Sequence, residues 1–586
     1  MRNFHFIMIK PSHYDDDGYV IRWFRSVVPS NSLAALYGLA EDCAARQVLG
    51  EDVNIVLTAL DETNTRIDAD AIIRQIERDG GHGLVGFVGV QSNQFPRAVD
   101  IARPLREAGI AVCIGGFHVS GCLAMLPELP GDIRAAQRLG IALFAGEAEA
   151  GRLERILQDA DRGALLPLYN YLDDLPGLEG EVTPFLPATR VRRTATGTTS
   201  FDAGRGCPFQ CSFCTIINVQ GRKSRYRSAD DVEHIILANH AQGVRDFFIT
   251  DDNFARNRNW AALFDRMILL REEQGFPAEF TIQVDTLCHR IPNFIDKAAR
   301  AGVFSVFIGL ENINPDNLKE AKKRQNKITE YRAMLQAWKR AGVTTFAGYI
   351  LGFPGDTPDS IRRDIRIIQE ELAIDFLEFF ILTPLPGSED HKKLWEQGVP
   401  MDPDMNKYDV NHVTTDHPRM SRDELQQIWW EAWAIYYSRA HLATIIRRAV
   451  ASGIAVKNML VPIAWFWGSM FVNGLHPLEG GFFRKRARLE RRPGFPIERP
   501  SKFYLRYGLE ILAGHLKLAG FGLWLAWTVL RIRLDPARRA YTDRSLAAVE
   551  DEELDAFELF TITDTAKAAV TAKRAQDARR RASAVG

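Results

Sequence analysis

Apolar runs and helix-period segments alternate along most of this chain. In the first third, residues 4–9, 53–60, 84–90, 110–114 and 141–144 form near-continuous apolar runs rich in β-branched side chains. Runs of that kind read as strands buried on both faces. Between them, residues 69–78 and 97–108 place apolar side chains at helical spacing. Strands alternating with helices predict a parallel, doubly wound α/β sheet of Rossmann-like form, with its ligand beyond the carboxyl ends of the strands. The residues at those ends are His13, Asn93, Gly115, Gly116, His118, Gly146 and Glu147.

Residues 161–198 break the pattern. Pro167, Pro176, Pro184 and Pro187 punctuate them and no apolar period persists, so the stretch reads as a linker. A second series follows, with apolar runs at 198–203, 247–250, 280–284, 303–310, 345–351 and 376–382. Repeated βα units of about 35 residues predict a partial TIM-type barrel, whose chemistry gathers at the strand carboxyl ends. There stand Asp251, Asp252 and Asn253, then Gln283 with Asp285, Glu311 with Asn312, and Gly352.

From about residue 400 the pattern is helical. Ser421 reads as the N-cap of an amphipathic helix bearing Trp429, Trp430, Trp433, Tyr436 and Tyr437, an aromatic stripe that reads as core. Two apolar stretches, 459–472 and 518–530, are shorter than the ~20 residues of a spanning helix. Arg484, Lys485, Arg486, Arg488, Arg491 and Arg492 follow the first, and Arg531 and Arg533 the second. Two readings stay open: helices lying on an anionic membrane surface, or an ordinary buried helical subdomain. Residues 563–586, rich in Ala, Arg and Lys, read as a frayed or disordered helix. The expected divisions are a Rossmann-like domain over 1–160, the linker 161–198, a barrel over 199–400, a mostly helical C-terminal domain over 401–545 and a tail over 546–586.

Composition narrows the class. At 586 residues, with 46% apolar and 25% charged side chains, the chain is of globular type and long enough for two or three domains. A net charge of −1 supplies no overall basic field for nucleic acid. The seven cysteines are odd in number and three are clustered, which argues against a disulfide framework and for a reducing, cytoplasmic setting. The apolar N-terminal run is too short for a signal peptide.

The three clustered cysteines, Cys207, Cys211 and Cys214, are spaced C-x3-C-x2-C on a loop leaving a strand end. Soft thiolates so placed suit an iron–sulfur cluster, and three ligands leave one iron open. A zinc loop with a distant fourth ligand, or three reduced core cysteines, is the bland alternative. No second ligand pair at short spacing follows to support zinc.

This loop resembles the signature of the radical S-adenosylmethionine (SAM) superfamily, including the aromatic Phe213 before the third cysteine. The resemblance implies that Cys207, Cys211 and Cys214 hold a [4Fe-4S] cluster whose open iron chelates SAM, and that SAM is cleaved to a 5′-deoxyadenosyl radical. It places Asp251, Asp252 and Asn253 near the SAM amino group, Gln283 at the same mouth, Glu311 near the ribose and Gly352 near adenine. Arg225 and Arg227 are candidates for the SAM carboxylate. The first third resembles the cobalamin-binding domain of one branch of that superfamily. Cobalamin would then contact Asn93, Gly115, Gly116, His118, Gly146 and Glu147. His13 stands where other members carry a cobalt-ligating histidine, but without the Asp and Gly of the usual D-x-H-x-x-G. The implied activity is cobalamin-dependent methylation of an unactivated carbon on a small, hydrophobic or lipid-like substrate. An electron donor such as flavodoxin or ferredoxin would serve it, in the cytoplasm or on the inner membrane face. The alternatives are an oxidative cyclase without methyl transfer and a non-catalytic cobalamin or redox sensor.

Overall fold

The computed structural model describes residues 2–548 and 551–585. Its first sheet has six parallel strands in the order Val53–Asp61, Arg2–Lys10, Gly83–Phe87, Ala111–Gly115, Ala142–Ala145, Leu168–Asn170. All five apolar runs of the first third are strands. The sixth, Leu168–Asn170, lies in the stretch expected to be linker; three residues are too few to show a period. Strand alternation sends Phe4, Phe6 and Met8 to one face, packed with the helices Asn31–Ala45 and Arg152–Asp161. Ile7 and Ile9 go to the other face, with Ala69–Arg78 and Phe95–Glu107. The strand order reverses between Arg2–Lys10 and Gly83–Phe87, the crevice where sheets of this topology take their ligands.

The second sheet is also parallel throughout and strictly sequential: Thr199–Phe201, Asp246–Ile249, Glu279–Val284, Val303–Glu311, Thr344–Leu351, Phe376–Ile381. Its first and last strands are edges, so it is an open array of βα units rather than a closed barrel. All six predicted runs are present. Ser228 opens the helix Ala229–Ala241 with a reciprocal capping box to Asp231.

The aromatic helix is Arg422–Tyr436, capped by Ser421 and Glu424 as expected. Trp429 Nε1 donates to Phe379 O (2.8 Å), Tyr436 Oη to Ile374 O (3.1 Å) and Tyr437 Oη to Leu377 O (2.9 Å). The stripe therefore covers the last strand of the second sheet and is core, except for Trp430, which is exposed. Of the two apolar stretches, the first is largely interior: Met459, Ile463, Phe466 and Met470 are buried.

Three expectations for this region need correction. The second apolar stretch is not short. It belongs to a 35-residue helix, Pro500–Leu534, long and apolar enough by length and composition to cross a membrane, and only 17% of its most apolar window is buried. The sequence hid its length because Glu510, His515 and Lys517 interrupt the apolar run. Most of the basic flank after the first stretch is not free for lipid, although Lys485 is exposed. Arg484 and Arg486 pair with Asp15, Arg492 with Asp404, and Arg491 reaches Asp17 O and Glu498. Arg484, Arg486 and Arg491 strap this segment to the N-terminal loop and Arg492 ties it to the loop at Asp404, beside an antiparallel ribbon of Trp23–Ser26 with Gly481–Arg484. The tail is not frayed where it begins: the helix Asp564–Val585 buries Ala566 and Val570, and Lys573 Nζ donates to Thr329 O. Residues 549, 550 and 586 of the expected tail lie outside the described residues.

Candidate active site

The cysteine loop leaves the first strand of the second sheet through a tight turn. Gly206 has φ +87°, and a Cβ there would sit 2.5 Å from Lys223 O, so only glycine fits. The turn is pinned from the next strand end. Asp251 Oδ1 accepts from the N–H groups of Ala203 (2.7 Å) and Gly204 (2.8 Å), and Asn257 donates to its Oδ2 (2.8 Å). Asp252 Oδ2 accepts from the Gly206 N–H (3.0 Å). Cys211 is buried, Cys207 and Cys214 are half-buried, and no disulfide forms among the described cysteines.

The donor set fits an iron–sulfur cluster. Burial pushes the Cys207 thiol up to about 11 and the Cys214 thiol to about 12, so without a metal these groups hold their protons. A metal would deprotonate them. The surroundings are already arranged for charged sulfur: Gln325 Nε2 donates to Cys211 Sγ (3.4 Å), and the buried Lys323 ammonium, paired with Glu311, sits 5.7 Å over the Phe213 ring. Lys323 and Gln325 were not singled out by the sequence. They follow the fourth strand with no spacing that marks them, and only the fold brings them to the cysteines.

Other predicted SAM-side residues divide into two groups. Asp252 and Gln283 line a cavity of about 570 Å³ above the strand ends. Burial lifts the Asp252 carboxyl to about 7, the behaviour of an acid short of a cation. Glu311 is held by Lys323 with φ +61°, and Gly352, with φ +90°, donates its N–H to Asp356 (3.0 Å). Asn253 is structural: its amide donates to Asp285 (2.9 Å). Arg225 and Arg227 need correction as carboxylate ligands. Arg225 is bound to Glu147 and to Pro176 O. Arg227 is fully buried and donates to backbone carbonyls of Asp202, Glu181 and Val182. Most of their donors hold the linker stretch and Glu147 to the second sheet, while Arg225 Nε and Arg227 Nη2 have no hydrogen-bond partner.

The predicted residues of the first sheet also spread out. Gly115, Gly116, Gly146 and Glu147 line a second cavity, of about 180 Å³, along the strand ends. Gly116 is required by the chain itself: at φ +146° its Cβ would strike Val90 N at 2.1 Å. Asn93 lines the larger cavity, where its buried Oδ1 has no partner. His118 is corrected: it lines neither cavity, and its two ring nitrogens are taken by Ser92 Oγ (3.1 Å) and Asp132 (2.9 Å). His13 is on the wall of the larger cavity, but its Nε2 faces Glu479 Oε1 at 3.2 Å. Between the two sheets lies a buried ion cluster that sequence reasoning missed. Arg205 bonds Glu147 (2.8 Å), Glu149 (2.6 Å) and Asp202 (3.1 Å), tying the cysteine loop to the first sheet.

Three thiols stand on a strand-end loop, and Thr215 and Ile216, directly after the third, line the larger cavity. Residues 203–368 match the Radical SAM superfamily, and the curated relatives that align with the chain include methyltransferases. Among curated relatives, it is 26% identical over 355 residues to bacteriochlorophyllide d C-8(2)-methyltransferase of Chlorobaculum tepidum, covering 58% of this chain and 74% of that one. It is 23% identical over 408 residues to the hopanoid C-2 methylase of Rhodopseudomonas palustris, covering 68% of this chain and 73% of that one. Not every relative is matched so fully: bacteriochlorophyllide d C-12(1)-methyltransferase of Chlorobaculum tepidum aligns over 56% of its length. Among solved structures, the radical SAM methyltransferase TsrM of Kitasatospora setae, with cobalamin and [4Fe-4S] cluster bound, superposes with a TM-score of 0.48 at 18% identity, over 68% of this chain and 75% of that one.

Proposed function

We propose that this protein is a cobalamin-dependent radical SAM methyltransferase acting on an unactivated carbon of a hydrophobic substrate. One observation carries the reading: the larger cavity is walled by both sheets at once. Gly89, Gln91 to Gln94 and Phe117 come from the first, and Thr215, Thr250, Asp252 and Gln283 from the second. A substrate there would lie between two cofactor sites. The smaller cavity opens along the first sheet's strand ends, the place where such a sheet takes a cofactor. The unpartnered Asn93 amide oxygen, on the wall of the larger cavity, suits an N–H donor of whatever ligand reaches there.

When bound, the cluster with SAM supplies a radical initiator and cobalamin supplies a methyl group; the chain's own residues position and shield. Cys207, Cys211 and Cys214 would hold the cluster, with Gln325 and Lys323 stabilising the charge on sulfur. Asp252 would take the SAM ammonium. Residues 408–411, His476 and Leu478 to Gly480 line the same cavity and would shield a bound substrate on that side.

The long helix supports a membrane-facing role for a cytoplasmic enzyme. Leu505, Leu509, Leu512, Leu516, Leu523, Trp527, Leu530 and Leu534 are all exposed and recur at helical spacing, so one face is apolar from end to end. Lys502, Lys517, Arg531 and Arg533 stand on the same helix to meet lipid headgroups. A lipid-like substrate could pass from such a surface to the cavity. Labelled methyl groups test the function. With SAM carrying a labelled methyl, reductant and membrane lipid extract, label should enter an extractable product. Cleavage of SAM without label in any product would favour cyclisation or rearrangement instead.

A further inference from the structure

The larger cavity holds a second donor set. His13 follows the first strand, Asp409 sits in the loop after residues 405–407, and Glu479 ends the turn Pro477–Glu479. One ligand atom from each lies within 4.8 Å of the others, and all three residues line the cavity. Three chain segments more than 60 residues apart thus converge on one point.

The surroundings are built rather than incidental. Asp409 is oriented from behind: His412 Nδ1 donates to its Oδ2 (2.8 Å), and the N–H groups of Asn411 (2.9 Å) and His412 (3.2 Å) donate to its Oδ1. His412 is held in turn by Asp16 (3.0 Å). That chain of partners is what fixes a ligating carboxylate elsewhere. Two more groups of the same wall are buried and unsatisfied. Asn411 Oδ1 has no donor. His476 accepts at Nδ1 from the Leu478 N–H (3.2 Å), which leaves its Nε2–H without an acceptor. Buried polar groups are normally paired, so unpaired ones at a cavity wall point to a missing ligand. A cation fits the acceptors: an imidazole nitrogen and two carboxylates in one place, with the unpartnered Asn411 amide oxygen on the same cavity wall. The His476 N–H then faces whatever oxygen completes the coordination.

We propose that His13, Asp409 and Glu479 form a binding site for a divalent first-row cation, with Asn411 as a further oxygen donor. One nitrogen with several oxygens suits zinc, manganese or ferrous iron better than calcium or magnesium. The open coordination faces the cavity, so the cation would take an oxygen of the substrate, a hydroxyl or carboxylate, and hold the molecule by its polar end. The site stands whether or not the reaction is a methyl transfer.

Full-length, cluster-loaded protein is incubated anaerobically with Zn²⁺ or Mn²⁺, dialysed and measured for metal against iron. The wild type should retain about one equivalent of the added metal, as a three-residue site would. His13→Gln, Asp409→Asn and Glu479→Gln should each lose it with iron content unchanged. Zinc absorption spectroscopy on the wild type gives the answer even if a variant misfolds: the added zinc should show only nitrogen and oxygen neighbours. Failure of the wild type to retain metal, a sulfur shell around the zinc, or full retention by folded variants would each overturn the site.

Discussion

Arg205 is the residue on which the geometry of the site turns. It is buried with three carboxylates and joins the cysteine loop to the end of the first sheet. Its guanidinium stays charged despite burial because Asp202, Glu149 and Glu147 surround it. Removing one member of such a cluster leaves uncompensated buried charge. Arg205→Met should therefore lower stability by about 3–5 kcal/mol in denaturant unfolding. An unchanged midpoint would mean the cluster is solvated and does not join the sheets. The cysteines could be read from spacing alone, because three soft ligands within eight residues have few other uses. Arg205, Lys323 and Glu479 could not. Each owes its position to a partner far away in the chain, and charged residues at strand ends and in loops carry no pattern of their own.

The strands were legible as elements because buried parallel strands give continuous apolar runs. Short edge strands such as Leu168–Asn170 and the ribbon residues Trp23–Ser26 were not, since their length hides any period. One strand carries a testable cost. Glu378, on the last strand of the second sheet, is buried, and its Oε2 has no partner. Burial raises its carboxyl to about 8. The folded chain therefore keeps a proton that the unfolded chain gives up above its ordinary value of 4.5, so this group costs stability as pH rises from there to about 8. Glu378→Gln should melt higher than wild type at pH 8, with the difference shrinking toward pH 5; a constant difference would refute the buried-proton reading. The long helix makes a second prediction. Its basic neighbours Arg484, Arg486 and Arg492 are spent on internal pairs, so lipid attachment should depend on the helix itself, chiefly on its long apolar face and secondarily on Lys502, Lys517, Arg531 and Arg533. Co-sedimentation with vesicles should survive raised salt. It should fall at least tenfold in a Leu509→Glu, Leu516→Glu, Leu523→Glu variant, which loses three apolar contacts. Equal sedimentation of the variant would exclude this face.

At the scale of the whole molecule, two parallel sheets present their carboxyl ends to one cavity, and C-terminal segments form part of its wall. That convergence makes a radical methyl transfer workable: a reactive carbon centre needs its methyl donor within reach and water excluded. The two sheets and their order of elements followed from the alternation of runs. That they face each other did not, because inter-sheet packing rests on contacts such as Arg205 with Glu147 that no periodicity encodes. The most direct test is 5′-deoxyadenosine formation by anaerobic, cluster-loaded protein with SAM and reductant. Wild type should produce it. Cys207→Ala, Cys211→Ala and Cys214→Ala should produce none, while still binding cobalamin, since no cysteine of the loop lines the first-sheet cavity. No 5′-deoxyadenosine from fully clustered, reduced wild type, or undiminished formation by the alanine variants, would contradict the assignment.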